Sequence, residues 1–227
     1  MLLALLLAVS PPATPLKVGV TLHPYFSWTS NAASGLPITV VPVLPSDVDV
    51  GNYQPRPEDV AKLKDLDALV INGIGHDDFI RDMLKASGNT RCRIITPNDA
   101  TPLLKNARGG AVNSHTFLSF SNAIQQTYVI ARALGELRPE LVDGLQKNAS
   151  AYARRLRAQR AWALERLAGA KQTRVITVHD GYSYLLQELG LELAGVVEPA
   201  HGLVPSAAEL GEIVKLIERE KVQVVLS

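Results

Sequence analysis

Cysteine is nearly missing. Cys92 stands alone among 227 residues, so no internal disulfide staples the chain and no Cys-based zinc cluster can form. An excess of charge of either sign is missing too: the formal net charge is +1, and nothing global recruits nucleic acid or an acidic membrane surface. The apolar run over residues 2–9 is much too short for a bilayer crossing, which takes about 20 apolar residues. Common enzyme signatures are also absent. There is no nucleophile elbow, paired-carboxylate motif or phosphate loop, and the GIGHDD stretch around Gly73 and Gly75 lacks the third glycine of the dinucleotide fingerprint. No repeat at solenoid periods is evident.

What is present begins with that apolar run. Small residues and prolines follow it at Ser10, Pro11, Pro12 and Ala13, which reads as a signal-peptide remnant over 1–14 and predicts an exported, periplasmic protein. No Lys or Arg precedes the run and no Cys follows it, so a lipid-anchored precursor is not expected.

Beyond residue 14, strands alternate with helices. Buried strands are expected over 17–22, 38–44, 67–74 and 93–96, with helices over 57–66, opened by Pro57 and acidic residues, and 77–85. This alternation predicts a mostly parallel sheet covered on both faces. From residue 122 the pattern turns helical, over 122–137 and then 139–167, where Leu141, Leu145, Tyr152, Leu156, Ala163 and Leu167 form one stripe. Arg154, Arg155, Arg157 and Arg160 fall opposite it and read as a solvated face. Strand 174–178, helix 182–189, strand 193–197, helix 207–220 and strand 222–226 complete the chain. The fold class is α/β: an N-terminal lobe over 15–121 and a C-terminal lobe over 170–227, joined through a helical segment over 122–169. The last strand stops at Ser227 without the cover a parallel strand needs, so the second lobe reads as truncated.

Of five histidines, His23, His76, His179 and His201 fall just past expected strand ends, and His115 precedes the helix at 122. Open α/β sheets bind ligands outside the carboxyl ends of their strands, so imidazoles stand where a ligand would. A single histidine there is most often a hydrogen-bonded loop residue, and no local zinc-finger or HExxH spacing exists. Neutral imidazoles from distant strand ends, with a carboxylate, nonetheless form a donor set that zinc accepts.

Three stretches carry a resemblance: VLPSDVDVGNYQPRPEDVAKLKDLDALVINGIG, NSHTFLSFSNA and VITVHDGYSYLLQELGLELAGVVEPAHGLVPSAAELGEIVKLI. Their order resembles the periplasmic binding proteins of zinc and manganese ABC importers, in which one long rigid helix joins two α/β lobes. The resemblance implies His115, in Asn113-Ser114-His115-Thr116-Phe117, and His179, followed by Asp180, as metal ligands. Ser114 and Phe117 replace the family's proline and tryptophan. A histidine at 179, where manganese relatives often carry glutamate, favours Zn2+ over Mn2+. Aligning Tyr53, Gln54 and Pro55 with the family's Tyr-Glu-Pro puts Gly51 where a ligand histidine is expected, and the family's fourth ligand, a carboxylate, falls beyond the last strand.

His23, at the end of the first strand, is the candidate third nitrogen. His76 and His201 are expected at the cleft entrance, and Asp180 as a residue that orients an imidazole. The function implied is capture of metal between the lobes and delivery by a monomer to a membrane permease, with no catalytic residue and no nucleic acid. Two alternatives stand beside it: a metal-dependent hydrolase built on His179, Asp180 and Tyr182, and a truncated relative in which Gly51 weakens binding.

Overall fold

The computed structural model describes residues 14–107, 109–198 and 202–227. The expected signal-peptide remnant, apart from Thr14, and His201 lie outside them. The first unit runs β1 (Leu16–Val20), α1 (His23–Ala32), β2 (Ile38–Pro42), α2 (Pro57–Lys62), β3 (Ala68–Val70), α3 (Phe79–Ala86) and β4 (Arg93–Ile95). Its four strands are all parallel, in the order β2-β1-β3-β4. The central pair is apolar on both faces, with Val18, Leu69 and Val70 fully buried, as a parallel sheet covered on two sides requires. Gly19 in β1 lets the next layer close in: a Cβ there would come 2.4 Å from Leu66 Cδ1.

Two long helices follow. α4 (Phe120–Leu137) opens on Ser119, whose hydroxyl accepts from the Asn122 amide at 3.2 Å, the usual capping of an orphan donor. α5 (Val142–Arg166) is 25 residues long, and Leu145, Ala149 and Ala153 form its buried line. That four-residue spacing keeps one face on α1 and α4. Beyond Ala153 no α5 residue is fully buried, and Trp162 is exposed under the Arg166 guanidinium. The expected stripe therefore holds in its first half and thins where the helix leaves the N-terminal core.

The second unit consists of β5 (Arg174–Thr177), α6 (Ser183–Leu189), β6 (Glu192–Val196), α7 (Ala207–Glu220) and β7 (Val224–Leu226), with parallel order β6-β5-β7. The architecture is thus the expected one: two parallel sheets flanked by helices and linked by a long helix. In each sheet an inner strand, β1 or β5, has neighbours reached by chain excursions in opposite directions. Such switch points leave a crevice outside the carboxyl ends.

Three elements depart from expectation. β3 spans Ala68–Val70 rather than 67–74, because the chain turns about Asp77 from Asn72 onward. α1 lies in a stretch to which the sequence reading assigns no element: its HPYFSWTSNA sequence is rich in residues of middling helix propensity, and tertiary burial of Tyr25, Trp28 and Ala32 supplies the stabilisation. α2 ends at Lys62 rather than 66, because the Asn89 side chain donates to the carbonyls of Leu63 and Leu66, both at 2.8 Å.

Candidate metal centre

His76, His115 and His179 each follow or lie in a turn or loop with its own anchor. After β3 the chain bends around Asp77, fully buried, whose carboxylate accepts from the Thr21 hydroxyl and from the amides of Asn72 and Gly73 at 2.7 and 2.9 Å. Gly73 has φ +72°, and a Cβ there would lie 2.9 Å from Thr96 Cγ2, so the bend requires glycine. The GIGHDD stretch is therefore a carboxylate-centred turn. It carries His76, whose Nδ1 lies 3.3 Å from Ser114 Oγ and whose ring stands edge-on to that of His115, centroids 5.0 Å apart.

His115 lies in the loop before α4, fastened on both sides. Asn72 donates to the Ser114 carbonyl at 2.9 Å, and the Thr116 hydroxyl donates to Asn98 Oδ1 at 2.7 Å. The Oδ1 of fully buried Asn113 accepts the His115 backbone amide and lies 3.0 Å from His115 Nδ1. An amide oxygen has no hydrogen to donate, so Nδ1 carries a proton and, in the neutral ring, the lone pair is on Nε2.

His179 stands two residues past β5 and His115 reaches it across the cleft: their Nε2 atoms are 2.9 Å apart. Its Nδ1 lies 2.8 Å from Glu198 Oε2. A carboxylate accepts, so His179 also bears a proton on Nδ1 and, in the neutral ring, its lone pair on Nε2. With both rings neutral, two imidazole lone pairs would meet head to head; at 2.9 Å such a pair is held together by a proton or a metal cation between the nitrogens. Both imidazoles have the outer hydrogen bond that fixes ring and tautomer in metal-ligating histidines.

Asp180 acts on this pair indirectly. It accepts from Asn113 Nδ2 through its carbonyl at 2.9 Å and its Oδ1 at 3.1 Å, and from the Ala107 amide and Ser183 hydroxyl at 2.7 and 2.8 Å. It therefore orients Asn113, which orients His115. The expectation that Asp180 aims an imidazole rather than binding metal fits this geometry, although the imidazole is His115 and not its neighbour His179.

The pair lies between two cavities. One, of about 690 Å³, is walled mostly by the first lobe, with Leu22, Phe26, Val48 and Phe117 beside His23. The other, of about 400 Å³, has Gly51, His76 and Glu198 in its wall. Gly51, in the turn Val50–Asn52 held by Asp49, therefore faces the histidines but brings no donor. His23 is exposed at the start of α1, its ring tilted against Phe26 at 6.3 Å. Among the described residues, no group of three or more His, Cys, Asp or Glu side chains is set to hold one ion. The structure brings together His115 and His179, and puts His76 against them rather than at the entrance. Glu198 was missed by sequence reading. Its one signal is position: it lies two residues past β6, as His179 lies two residues past β5.

Residues 18–227 match the family described as zinc-uptake complex component A, periplasmic. The chain belongs to this ZnuA family. Among the similar solved structures are the SBP FpvC of Pseudomonas aeruginosa with Ni2+ and with Mn2+. Both are 44% identical, with TM-scores of 0.85 and 0.86, covering 93% and 92% of this chain and 77% and 79% of theirs. Curated relatives include the iron-binding protein YfeA of Yersinia pestis, 25% identical over 79% of this chain, and the zinc-binding lipoprotein AdcA of Streptococcus pneumoniae, 24% identical over 91%. The chain spans 58% and 44% of the length of these two. The ZnuA-family relatives thus carry zinc, iron, manganese or nickel in their names and titles. No helix among the described residues is long and apolar enough to cross a membrane.

Proposed function

We propose that this chain captures a divalent metal ion, zinc in preference to manganese, between its lobes in the periplasm and delivers it as a monomer to the membrane permease of an ABC importer. One observation carries the reading: His115 and His179, from opposite lobes, aim their Nε2 lone pairs at one point while both Nδ1 atoms are held by fixed acceptors. Zinc bound at about 2.0–2.1 Å to both nitrogens in tetrahedral geometry would spread them to about 3.3 Å, a small opening of the pair. Two imidazoles favour zinc over the carboxylate-preferring manganese. The candidates for further donors line the cavity walls: His23, and His76, whose ring already packs on His115. The lobes divide as 15–121 and 170–227, with the helical segment 122–169 between them.

The hydrolase alternative loses support because the Asp180 oxygens are occupied by Ala107, Asn113 and Ser183. Capture and delivery make and break no covalent bond and need no catalytic residue.

Equilibrium dialysis tests the site. The unsubstituted chain should hold one zinc, and combined His115→Ala and His179→Ala substitution should weaken it by more than the roughly 10–100-fold cost of losing an outer partner. Zinc binding that survives both substitutions would sink the assignment. Competition with manganese decides the metal, and calorimetry on His23→Ala and His76→Ala reads whether either adds a nitrogen.

A further inference from the structure

Glu188 lies on α6 of the C-terminal lobe, but its carboxylate serves the start of α4, in the other half of the molecule. The side chain is only 6% exposed. Oε2 accepts from the Ser119 hydroxyl at 2.8 Å and the Phe120 amide at 2.7 Å. Oε1 accepts from the amide and hydroxyl of Ser121 and from Arg160 Nε on α5, the last at 2.7 Å. The first amides of a helix have no intrahelical acceptor, and the helix dipole favours an anion there. Here that anion is borrowed from the opposite lobe.

The same short helix makes a second fastening. The Tyr184 hydroxyl donates to the Asn113 carbonyl at 2.8 Å and accepts the Leu104 amide at 2.9 Å. With Asp180 holding Ala107 and the Asn113 side chain, α6 and its approach clamp the first lobe at three points: the α4 start, Leu104–Ala107 and Asn113. Asn113 is the residue that aims His115.

We propose that Glu188 is a positioning residue for the metal: by fixing the tilt between the lobes it fixes how His179 meets His115, and so sets the rate at which bound metal is released. The inference rests on the metal-capture reading above. Glu188 is remote from the ion and acts through the seam. All five of its partners are donors, so a glutamine in its place turns one amide nitrogen against a donor, leaving buried groups unsatisfied.

The test joins two measurements on the full chain. Hydrogen exchange on the metal-free protein reads the seam: in Glu188→Gln the amides of Phe120 and Ser121 lose their acceptor, and those of Leu104 and Ala107 should exchange faster with them. Stopped-flow transfer of zinc to a chelator reads the site: release should accelerate on the order of 10-fold, the lower end of effects for outer partners, with the association rate unchanged. Faster exchange confined to Phe120 and Ser121, with release unaltered, would show a mere helix cap and overturn the proposal. Unaltered exchange at all four amides would overturn it too. Should Glu188→Gln fail to fold, Arg160→Gln, which leaves the other four donors in place, decides alone: faster release supports the proposal and an unchanged rate overturns it. An unsubstituted chain that holds no zinc would sink the metal reading itself and take this coupling with it; the exchange data, needing no metal, keep the two failures distinct.

Discussion

At the scale of single residues, position 51 is the most instructive. Gly51 lies in a cavity wall with His76, His115, His179 and Glu198, at the position where the resemblance expects an imidazole. Glycine offers no donor, so affinity should be limited by an incomplete coordination shell. Gly51→His is therefore expected to tighten zinc binding by about tenfold or more, as an added nitrogen ligand in a site of this class should; calorimetry showing equal or weaker binding would mean that the turn at 50–52 aims the new ring elsewhere. The residue scale also shows what a sequence can tell. His115 and His179 were singled out by the resemblance, because all five histidines fall past expected strand ends or before a helix and position alone does not choose among them. Asn113 and Asp180 were visible as motif letters, but their joint action through a hydrogen bond between residues 67 apart was not. Glu198 was hidden because a carboxylate after a strand is commonplace and only its meeting with His179 makes it distinctive.

Among the elements, the turn after β3 carries the most consequence. Asp77 is fully buried with Thr21, Asn72 and Gly73 donating to it, and it shapes the bend that brings His76 to His115. Asp77→Asn keeps the shape but sets an amide N–H against a backbone N–H. A loss of about 2 kcal/mol is expected, seen as a fall in melting temperature of roughly 4–8 °C at this chain length. A melting temperature within a degree of the parent would show that the turn tolerates the change. Most strands and helices were legible here, and α7 was expected over its full observed span, because a capping box at Ser206 and Glu209 marks its start. α1 was not, since its sequence is a poor helix former and its burial only follows from the fold. The early end of α2 was equally invisible, being set by Asn89 from the far side of β3.

For the whole molecule, two buried carboxylates link stability to pH. Burial alone would raise the Glu188 carboxyl, but the Ser121, Ser119 and Arg160 donors outweigh it and hold it below the usual range. Asp59, almost fully buried beneath Tyr53 and Lys62, is held low in the same way: burial raises it, and the hydrogen bonds from Tyr53, Lys62 and the Arg56 amide more than offset that. A carboxyl whose folded value lies below its unfolded one stabilises the fold above the unfolded value, near 4, and that contribution disappears as pH falls through the depressed folded value. Melting temperature should therefore hold from neutrality to about pH 5 and drop below it. In Glu188→Gln the acid limb should be shallower, as thermal melts across pH will read, and an unaltered limb would remove Glu188 from the linkage. Both lobes and the long helix were apparent from the alternation of strands and helices. The polar seam between the lobes was not, because its bonds join residues far apart in sequence, such as Arg160 with Glu188 and Asn113 with Asp180, whose segments read as ordinary helices and loops.

The path from Asp180 through Asn113 to His115 has a consequence for how the binding function can be divided. Asp180 of the second lobe holds Asn113, which holds His115 of the first, so on the proposed reading neither half carries the affinity alone. If the proposed site is the metal site, it requires both halves at once: a fragment stopping before α5 would contain His115 without the Asp180 hold on Asn113, and a fragment starting after α5 would hold His179 with nothing opposite. Mixed together, two such pieces would bind metal only in so far as they find each other, with occupancy rising with the product of their concentrations and not with their sum. On that reading metal affinity belongs to the joined chain.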